Sequence, residues 1–456
     1  MKSIFDVKKV HLIGIGGISM SSIAQILLSR GIAVSGSDQS VSTLTEQLKQ
    51  NGATIYVGHA KKNIKDPDIV IYTGAVGNDN PEMIAAKDKA IPIIPRTVAL
   101  NDILQLHQKI IAVSGTHGKS TTTSIVTHIM RHQIGEISYL IGAQLNETKR
   151  AYHLANSPFV TVEACEYQAN FLHLYPTTIV VNNIEPEHID YYKSIEQLID
   201  TFRTFAKHLP ADGHLILNRD DPNASQLVDH IGCQVTTFAI DQAADYQATN
   251  LTTTAEHTTT FDLLIDGNYV MTIEQALIGK FNVYNTLAAI TACHRNGVQL
   301  EGIAQLMKHF VNSERRFERL GKFSGANVVS DYAHHPSEVK ATIDDAALLA
   351  NNKLCVVFQP HTYSRTKNML AEFATAFNAA DHIFIADIYA AREENIYNVS
   401  SKDLVDVICK AGKKAHYVGN LKNIPAALKA VVDEQSLIIM MGAGSIDDFA
   451  RKMVDK

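Results

Sequence analysis

The sequence predicts an α/β protein of three domains built on mainly parallel sheets. Three observations carry that expectation. The chain has 456 residues, about three domains at roughly 150 residues each. Short apolar strands alternate with helical stripes, the order that builds parallel sheets. Two of those strands run into glycine-bearing loops that open helices, the arrangement that receives phosphate groups.

In the first part, Val10–Ile13 is a strand ending on Gly14-Ile15-Gly16-Gly17. Met20, Ile23, Ala24, Leu27 and Leu28 then follow the i, i+3, i+4 spacing of an amphipathic helix. Gly31 ends it, and strands are expected at Ile32–Ser35, Asp68–Tyr72 and Ile91–Ile94. This first domain covers 1–107. The second, 108–314, has strands at Ile110–Val113, Phe159–Val162 and Thr178–Val181 and a helix at Ser120–His132. Its residues 233–275 alternate in the manner of an antiparallel appendage, with Asp266-Gly267-Asn268 as a hairpin turn. The third domain, 315–456, has strands at Leu354–Phe358, His382–Ala386 and Leu437–Met440. They end in the loops Gln359–Arg365, Asp387–Asn395 and Gly442–Ser445. Ligands of open parallel sheets bind at such carboxyl ends.

Composition excludes several classes. With 46% hydrophobic and 19% charged residues, the chain is neither disordered nor collagen-like. Lys+Arg 41 against Asp+Glu 47 gives a net charge of -6, without the basic field of a general nucleic-acid binder. The cysteines Cys165, Cys233, Cys293, Cys355 and Cys409 are odd in number and form no CxxC, against a disulfide framework or zinc ribbon. A reducing cytoplasm is the expected setting. No stretch has the roughly 18 apolar residues of a membrane span. Lys8-Lys9 and the following apolar run imitate a signal peptide, but the run breaks into glycines and serines and is expected to be retained.

Residues 114–121 read Ser-Gly-Thr-His-Gly-Lys-Ser-Thr. A full Walker loop has Gly where this chain has Val113, so the match is to the shorter Gly-x-x-Gly-Lys-Ser. Gly115 and Gly118 permit a tight loop whose N–H groups face phosphate oxygens. Lys119 suits the β/γ-phosphates, and the Ser120 hydroxyl suits Mg²⁺. The bland alternative is a glycine turn with a surface lysine. Glu163 ends a strand, where the second acid of a nucleotide site belongs, and Glu166 lies three residues on. His188, in Asn183-Ile-Glu-Pro-Glu-His188, is a candidate for a second metal or the γ-phosphate, or else a structural histidine.

Gly14-Ile15-Gly16-Gly17-Ile18-Ser19 is a weaker signal. A dinucleotide fingerprint has Gly where this chain has Ser19, and Asp38 stands where a ribose-binding acid belongs. Alone it favours a nicotinamide enzyme or merely a tight turn. Together the loops imply two nucleotide sites, one suited to Mg-ATP and one to a diphosphate held but not cleaved.

End to end, the chain resembles the Mur ligase family. The likeness is carried by His11–Met20, Gly115-Thr-His-Gly-Lys-Ser-Thr121, Asn183–His188, Arg315-Arg-Phe317, Asp331-Tyr-Ala-His-His-Pro336 and Phe358-Gln-Pro-His-Thr-Tyr-Ser-Arg365. The resemblance implies a Rossmann-like UDP-binding domain, a central P-loop-type ATPase and a C-terminal Rossmann-like domain that brings an amino acid. It implies ATP-driven ligation of L-alanine to the lactyl carboxylate of UDP-N-acetylmuramate through an acyl phosphate, giving ADP and phosphate in peptidoglycan precursor synthesis.

The resemblance also implies roles. ATP would contact Gly115, Thr116, His117, Gly118, Lys119, Ser120, Thr121, Asn282, Asn285, Arg316 and Asp331. Two Mg²⁺ ions would be held by Ser120, Glu163 and His188. The UDP substrate would meet Gly14, Gly16, Gly17, Ser19, Asp38 and Thr73. His334 and Arg365 would act on the incoming alanine, with Tyr332 and His361 lining its pocket. Lys119, Glu163, His188, His334 and Arg365 form the catalytic set. No nucleic acid or membrane is expected as partner, and the chain is expected to be a monomer or homodimer.

The chain departs from the family pattern at Cys165 (often Asp), Phe281 (often His), Thr362 (often Arg) and Ser19 (usually Gly). Competing readings are a related ligase that attaches a preformed tripeptide, an NAD-dependent oxidoreductase, a P-loop kinase and a non-catalytic nucleotide-binding regulator. The tripeptide enzyme needs a larger amino-substrate pocket. Phe171-Leu172-His173-Leu174, read as running directly into a strand, resembles the alanine branch better. An oxidoreductase leaves Lys119 unexplained.

Overall fold

The computed structural model describes residues 3–188, 191–229, 231–254, 258–391 and 393–454. Twenty-one strands among them form three sheets. The first holds β1 (Lys9–Ile13), β2 (Ala33–Asp38), β3 (Thr54–Val57), β4 (Ile69–Tyr72) and β5 (Ile93–Pro95), in the order β3-β2-β1-β4-β5. Every pairing is parallel. Strand order reverses at β1, so the loops after β1 and β4 flank a crevice, the usual ligand position in such sheets. Side chains alternate between faces, as the two-residue strand period requires. Val10, Leu12, Ile69 and Ile71 join one apolar cluster, while Ile13 and Val70 join another.

The second sheet contains β6 (Lys109–Ser114), β7 (Ser138–Leu145), β8 (Arg150–His153), β9 (Phe159–Glu163), β10 (Thr178–Val181), β11 (His214–Asn218), β12 (Gln234–Ala239), β13 (Tyr246–Thr253), β14 (Thr259–Ile265) and β15 (Asn268–Gln275). Its β6 lies between β9 and β10, parallel to both. The loops after these three strands therefore converge at one edge. The antiparallel pair β7–β8 is a feature the sequence reading missed. At the turn before β15, Asp266 has φ +50° and Gly267 φ +76°, the paired positive values of a two-residue hairpin turn.

The third sheet holds β16 (Glu318–Phe323), β17 (Ala326–Asp331), β18 (Leu354–Phe358), β19 (His382–Ala386), β20 (Ala415–Gly419) and β21 (Leu437–Met441), in the order β16-β17-β21-β18-β19-β20. Only β16 is antiparallel to its neighbour. Leu354, Val356 and Phe358 enter one core layer, and Cys355 and Val357 the other. A strand buried on both faces reads as a continuous apolar run, which is why β18 and β21 were legible in sequence.

The chain forms two compact units. The first comprises Met1–Thr249, Asp262–Met271 and Tyr284–Leu306; the second comprises Asn250–Phe261, Thr272–Val283 and Met307–Lys456. In the first unit a single apolar cluster runs from Met20, Ile23 and Leu27 of the helix Ile18–Ser29 to Leu140, Val162 and Phe171 of the second sheet's surroundings. This shared core makes one unit of two sheets. Among the described residues, no helix is long and apolar enough to cross a membrane.

Candidate active site

The loop after β6 opens the 16-residue helix Lys119–Ile134, one residue earlier and two later than the sequence suggested. Gly118 caps it at φ +80°, and a Cβ there would lie 2.2 Å from Asn285 Oδ1. Both restrictions demand glycine at this position. The loop leans on the one after β10. Thr116 N–H donates to Asn183 O (3.0 Å) and His117 N–H to Asn183 Oδ1 (2.8 Å). Asn182 Nδ2 donates to Thr122 Oγ1 (3.0 Å), and Thr122 Oγ1 to Asn285 Oδ1 (3.1 Å).

Lys119 Nζ reaches back over the loop to Gly115 O (2.5 Å) and Thr116 O (2.9 Å) and pairs with Glu166 Oε2 at 3.0 Å. Burial alone would lower the lysine pKa. Glu166, with Cys165 and Glu163, outweighs it and raises the pKa, so Lys119 is charged. Burial likewise acts to raise the Glu166 carboxyl, but Lys119 and His188 hold it below the ordinary range. Glu166 is 1% exposed, and its main-chain O accepts from Tyr192 OH at 2.5 Å. The sequence pattern places Glu166 near the nucleotide site without giving it a role. A buried acid three residues after a strand-end acid carries no motif of its own, so only its contact with Lys119 exposes it.

The three expected metal ligands fall into two groups. Ser120 Oγ donates to Glu163 Oε2 (2.9 Å), which also accepts from Gly142 N–H (3.0 Å). His188 Nε2 lies instead at Glu166 Oε1 (3.3 Å), with φ +54° at its own backbone. The hydroxyl and carboxylate oxygens of Ser120 and Glu163 fit the hard-oxygen preference of Mg²⁺. The Glu166–His188 pair offers a second donor set. Cys165 contributes no anion near neutral pH. Burial first, then Glu166, pushes its thiol up to about 11.

In the first sheet, Gly14 N–H and Ile15 N–H donate to Ser37 O (2.9 and 3.0 Å), and Gly16 N–H donates to Asp38 Oδ2 (2.8 Å). Thr73, just past β4, sits against Gly14, so the expected substrate contacts Gly14, Gly16, Asp38 and Thr73 share one crevice. Gly17 caps the following helix, and Ser19 lies in its first turn. Ser19 Oγ accepts from Arg96 Nη1 at 2.7 Å, a partner the sequence reading did not name. Ser19, Ser22, Arg96, Gly142, Glu163 and Phe171 are among the residues lining one cavity of about 90 Å³. That cavity runs from the start of the helix Ile18–Ser29 to the metal-type acid within a single unit.

Of the remaining expected residues, Asn285 meets the phosphate loop at Gly118 and Thr122. Asn282 and Asn285 share the helix Lys280–Arg295, as does Phe281. Asn282 Nδ2 donates to Ile278 O (2.8 Å). In the second unit, Asp331 accepts from Phe317 N–H and Ala333 N–H, both at 2.8 Å. Burial raises its carboxyl against those bonds and the nearby Arg316 charge. Arg316 lies over the Tyr332 ring (5.1 Å), flanked by Arg315 and Phe317 at positive φ. Tyr332, His334, His361 and Tyr389 form a run of ring contacts at 5.2, 5.7 and 5.8 Å. Arg365 Nη1 bonds His361 Nδ1 (3.0 Å), and His334 Nδ1 faces Glu338 Oε2 (3.3 Å). Thr362 caps the helix Tyr363–Asn368 through Arg365 N–H. One reading is corrected. Residues 171–174 do not run directly into a strand, because Tyr167–His173 is a 3₁₀ turn and β10 begins only at Thr178.

A phosphate loop with lysine, hydroxyl and acid, at the strand-order reversal of a parallel sheet, defines a nucleotide-using α/β enzyme. Family descriptions match in three stretches: "Mur ligase family, catalytic domain" over residues 9–108, "Mur ligase middle domain" over 113–293, and "Mur ligase, glutamate ligase domain" over 315–444. The UDP-N-acetylmuramate–L-alanine ligase of Alkaliphilus metalliredigens is 40% identical over 97% of this chain and 96% of its own. That of Clostridium novyi is 41% identical over 96% and 95%. The crystal structure of the UDP-N-acetylmuramate–alanine ligase of Thermotoga maritima superposes with TM-score 0.83 at 27% identity, covering 98% of each chain. The chain belongs to the Mur ligase family and is an enzyme of the carbon–nitrogen ligase class.

Proposed function

We propose that this enzyme joins L-alanine to the lactyl carboxylate of UDP-N-acetylmuramate, converting ATP to ADP and phosphate, in peptidoglycan precursor synthesis. The observation that carries this reading is the cavity lined by Ser19, Arg96 and Glu163. It runs from the first turns of the helix that follows the diphosphate-type loop to the acid that accepts from Ser120, the neighbour of a charged lysine. Relatives similar along nearly the whole chain carry this activity in their names. The work divides at 1–107, 108–314 and 315–456 into holding UDP, using ATP and receiving the amino acid, in the cytoplasm, as monomer or homodimer.

A carboxylate is a poor acyl donor because its leaving group would be oxide. Transfer of the γ-phosphoryl group creates a mixed anhydride whose leaving group is phosphate. The amine nitrogen of alanine adds to that carbonyl, and the tetrahedral intermediate collapses to amide and phosphate. Phosphoryl transfer needs alignment and charge neutralisation more than covalent help. Lys119 supplies a fixed positive charge and the Gly115–Gly118 amides supply donors. Ser120 and Glu163 would hold one Mg²⁺, and His188 with Glu166 a second, adding positive charge at the transferred phosphoryl oxygens. Arg96 suits the substrate's anionic groups, since a guanidinium stays charged even when buried. Arg365 is assigned to the alanine carboxylate. His334 beside Glu338 is assigned to orient its amine, with Tyr332 and His361 walling the pocket.

The test is an ADP-release assay with each component omitted in turn. Release requiring both UDP-N-acetylmuramate and L-alanine supports the reading; AMP formation, or turnover unchanged without an amine, overturns it.

A further inference from the structure

The helix that begins at Lys119 carries a second group of ligand-type side chains near its other end. His128 and His132 are one turn apart and so project from one helix face. Their rings meet edge to face with centroids 4.5 Å apart. Glu147, from the turn between β7 and β8, comes up against both. His128 Nδ1 is 2.9 Å from Glu147 Oε2, and His132 Nε2 is 3.4 Å from Glu147 Oε1. One donor atom from each residue lies within 4.8 Å of the others.

We propose that His128, His132 and Glu147 form a binding site for a borderline divalent cation of the zinc type, separate from the nucleotide site. Zinc bonds of about 2.0–2.1 Å place tetrahedral donors about 3.3 Å apart, and a donor set with one atom from each residue already lies within 4.8 Å. Two imidazoles and one carboxylate suit zinc, nickel or copper and disfavour Mg²⁺, which takes oxygen ligands. The supporting groups are in place. Arg131 Nη1 holds Glu147 Oε1 (2.7 Å), leaving Oε2 for the cation, while its Nη2 is drawn to Glu136 (2.8 Å). Tyr139 OH and Thr148 Oγ1, 2.7 Å apart, pin the turn that bears Glu147. Such outer partners orient first ligands and tune affinity. His132 and Glu147 are 45% and 37% exposed, which gives the ion a path in. Bound there, the cation would clip the phosphate-loop helix to the β7–β8 turn.

The test is zinc binding to the full-length, tag-free chain by competition with a chromophoric chelator, comparing wild type with His132→Gln and Glu147→Gln. Exposure of both side chains lets the variants fold, checked by circular dichroism. The expected result is loss of one zinc equivalent per chain, or at least tenfold weaker affinity at that equivalent, in both variants. Zinc also raises the wild-type Tm and leaves that of His132→Gln unmoved. Superimposable binding curves for wild type and both variants would overturn the proposal.

Discussion

Lys119 and Glu166 form a buried ion pair, Nζ to Oε2 3.0 Å, inside the loop that opens the helix Lys119–Ile134. The lysine bridges loop carbonyls and the acid, while His188 holds the other side of the same carboxylate. A charge kept in this enclosure acts on phosphate far more strongly than it would in water. Lys119→Ala is expected to lower kcat by about 10²–10³ with the far-ultraviolet dichroism unchanged. A variant with full activity would remove the loop from the mechanism.

Glu166→Ala leaves Lys119 buried without its carboxylate. Breaking a buried pair in this way costs about 3–5 kcal/mol, readable as a drop in the urea midpoint. The pH dependence follows from the directions of the two shifts. The Glu166 carboxyl is held below its ordinary value of 4.5, so its contribution is present above that pH and lost as pH falls through the folded pKa. Lys119 is raised above 10.5, so its share is present below that value and lost only as pH rises through the still higher folded pKa. The stability difference between wild type and Glu166→Gln is therefore expected to be flat from about pH 6 to 9 and to shrink below about pH 4.

Asp345, in the second unit, behaves oppositely. Burial first, then Asp344 and Asp331, raises its carboxyl from 3.8 to about 7. A raised acid favours the folded state while protonated, and that contribution is lost as pH climbs through about 7. Asp345→Asn is expected to match wild type near pH 4 and to unfold at higher urea than wild type at pH 8. Equal midpoints at both pH values would contradict the assigned environment.

Gly118→Ala combines positive φ with a Cβ 2.2 Å from Asn285 Oδ1. A stability loss of about 1–3 kcal/mol is expected, with a raised KM for ATP, because the Asn285 side chain must move. Unchanged ATP kinetics would show that the loop geometry is not what positions the nucleotide.

Arg365 is assigned to the amino-acid carboxylate. Arg365→Lys is expected to raise the KM for alanine by about tenfold or more while leaving that for ATP near wild type, because one ammonium cannot reproduce the bidentate fork. An equal rise for both substrates would place Arg365 outside the alanine pocket.

Much of this was legible in the chain. Strands buried on both faces, such as Leu354–Phe358, announce themselves as apolar runs, and Gly-x-x-Gly-Lys-Ser between strand and helix announces a phosphate loop. Polar or exposed strands did not. The β8 segment Arg-Ala-Tyr-His and the β20 segment Ala-His-Tyr-Val-Gly lack a clear apolar period, and edge strands need none. The site was half legible for a related reason. Lys119, Ser120 and Glu163 stand in motifs, whereas Glu166, Gly142 and Arg96 act only through contacts between distant segments, Arg96 with Ser19 among them. The grouping of His188 with Glu166, apart from Ser120 and Glu163, likewise needed three dimensions.

The central claim, activation of a carboxylate as an acyl phosphate before amide formation, is tested most directly by oxygen labelling. UDP-N-acetylmuramate carrying ¹⁸O in its lactyl carboxylate would be turned over with ATP and L-alanine, and the phosphate released analysed by mass spectrometry. The account predicts one ¹⁸O atom in each phosphate and none in ADP. Unlabelled phosphate, or label appearing in AMP, would contradict it.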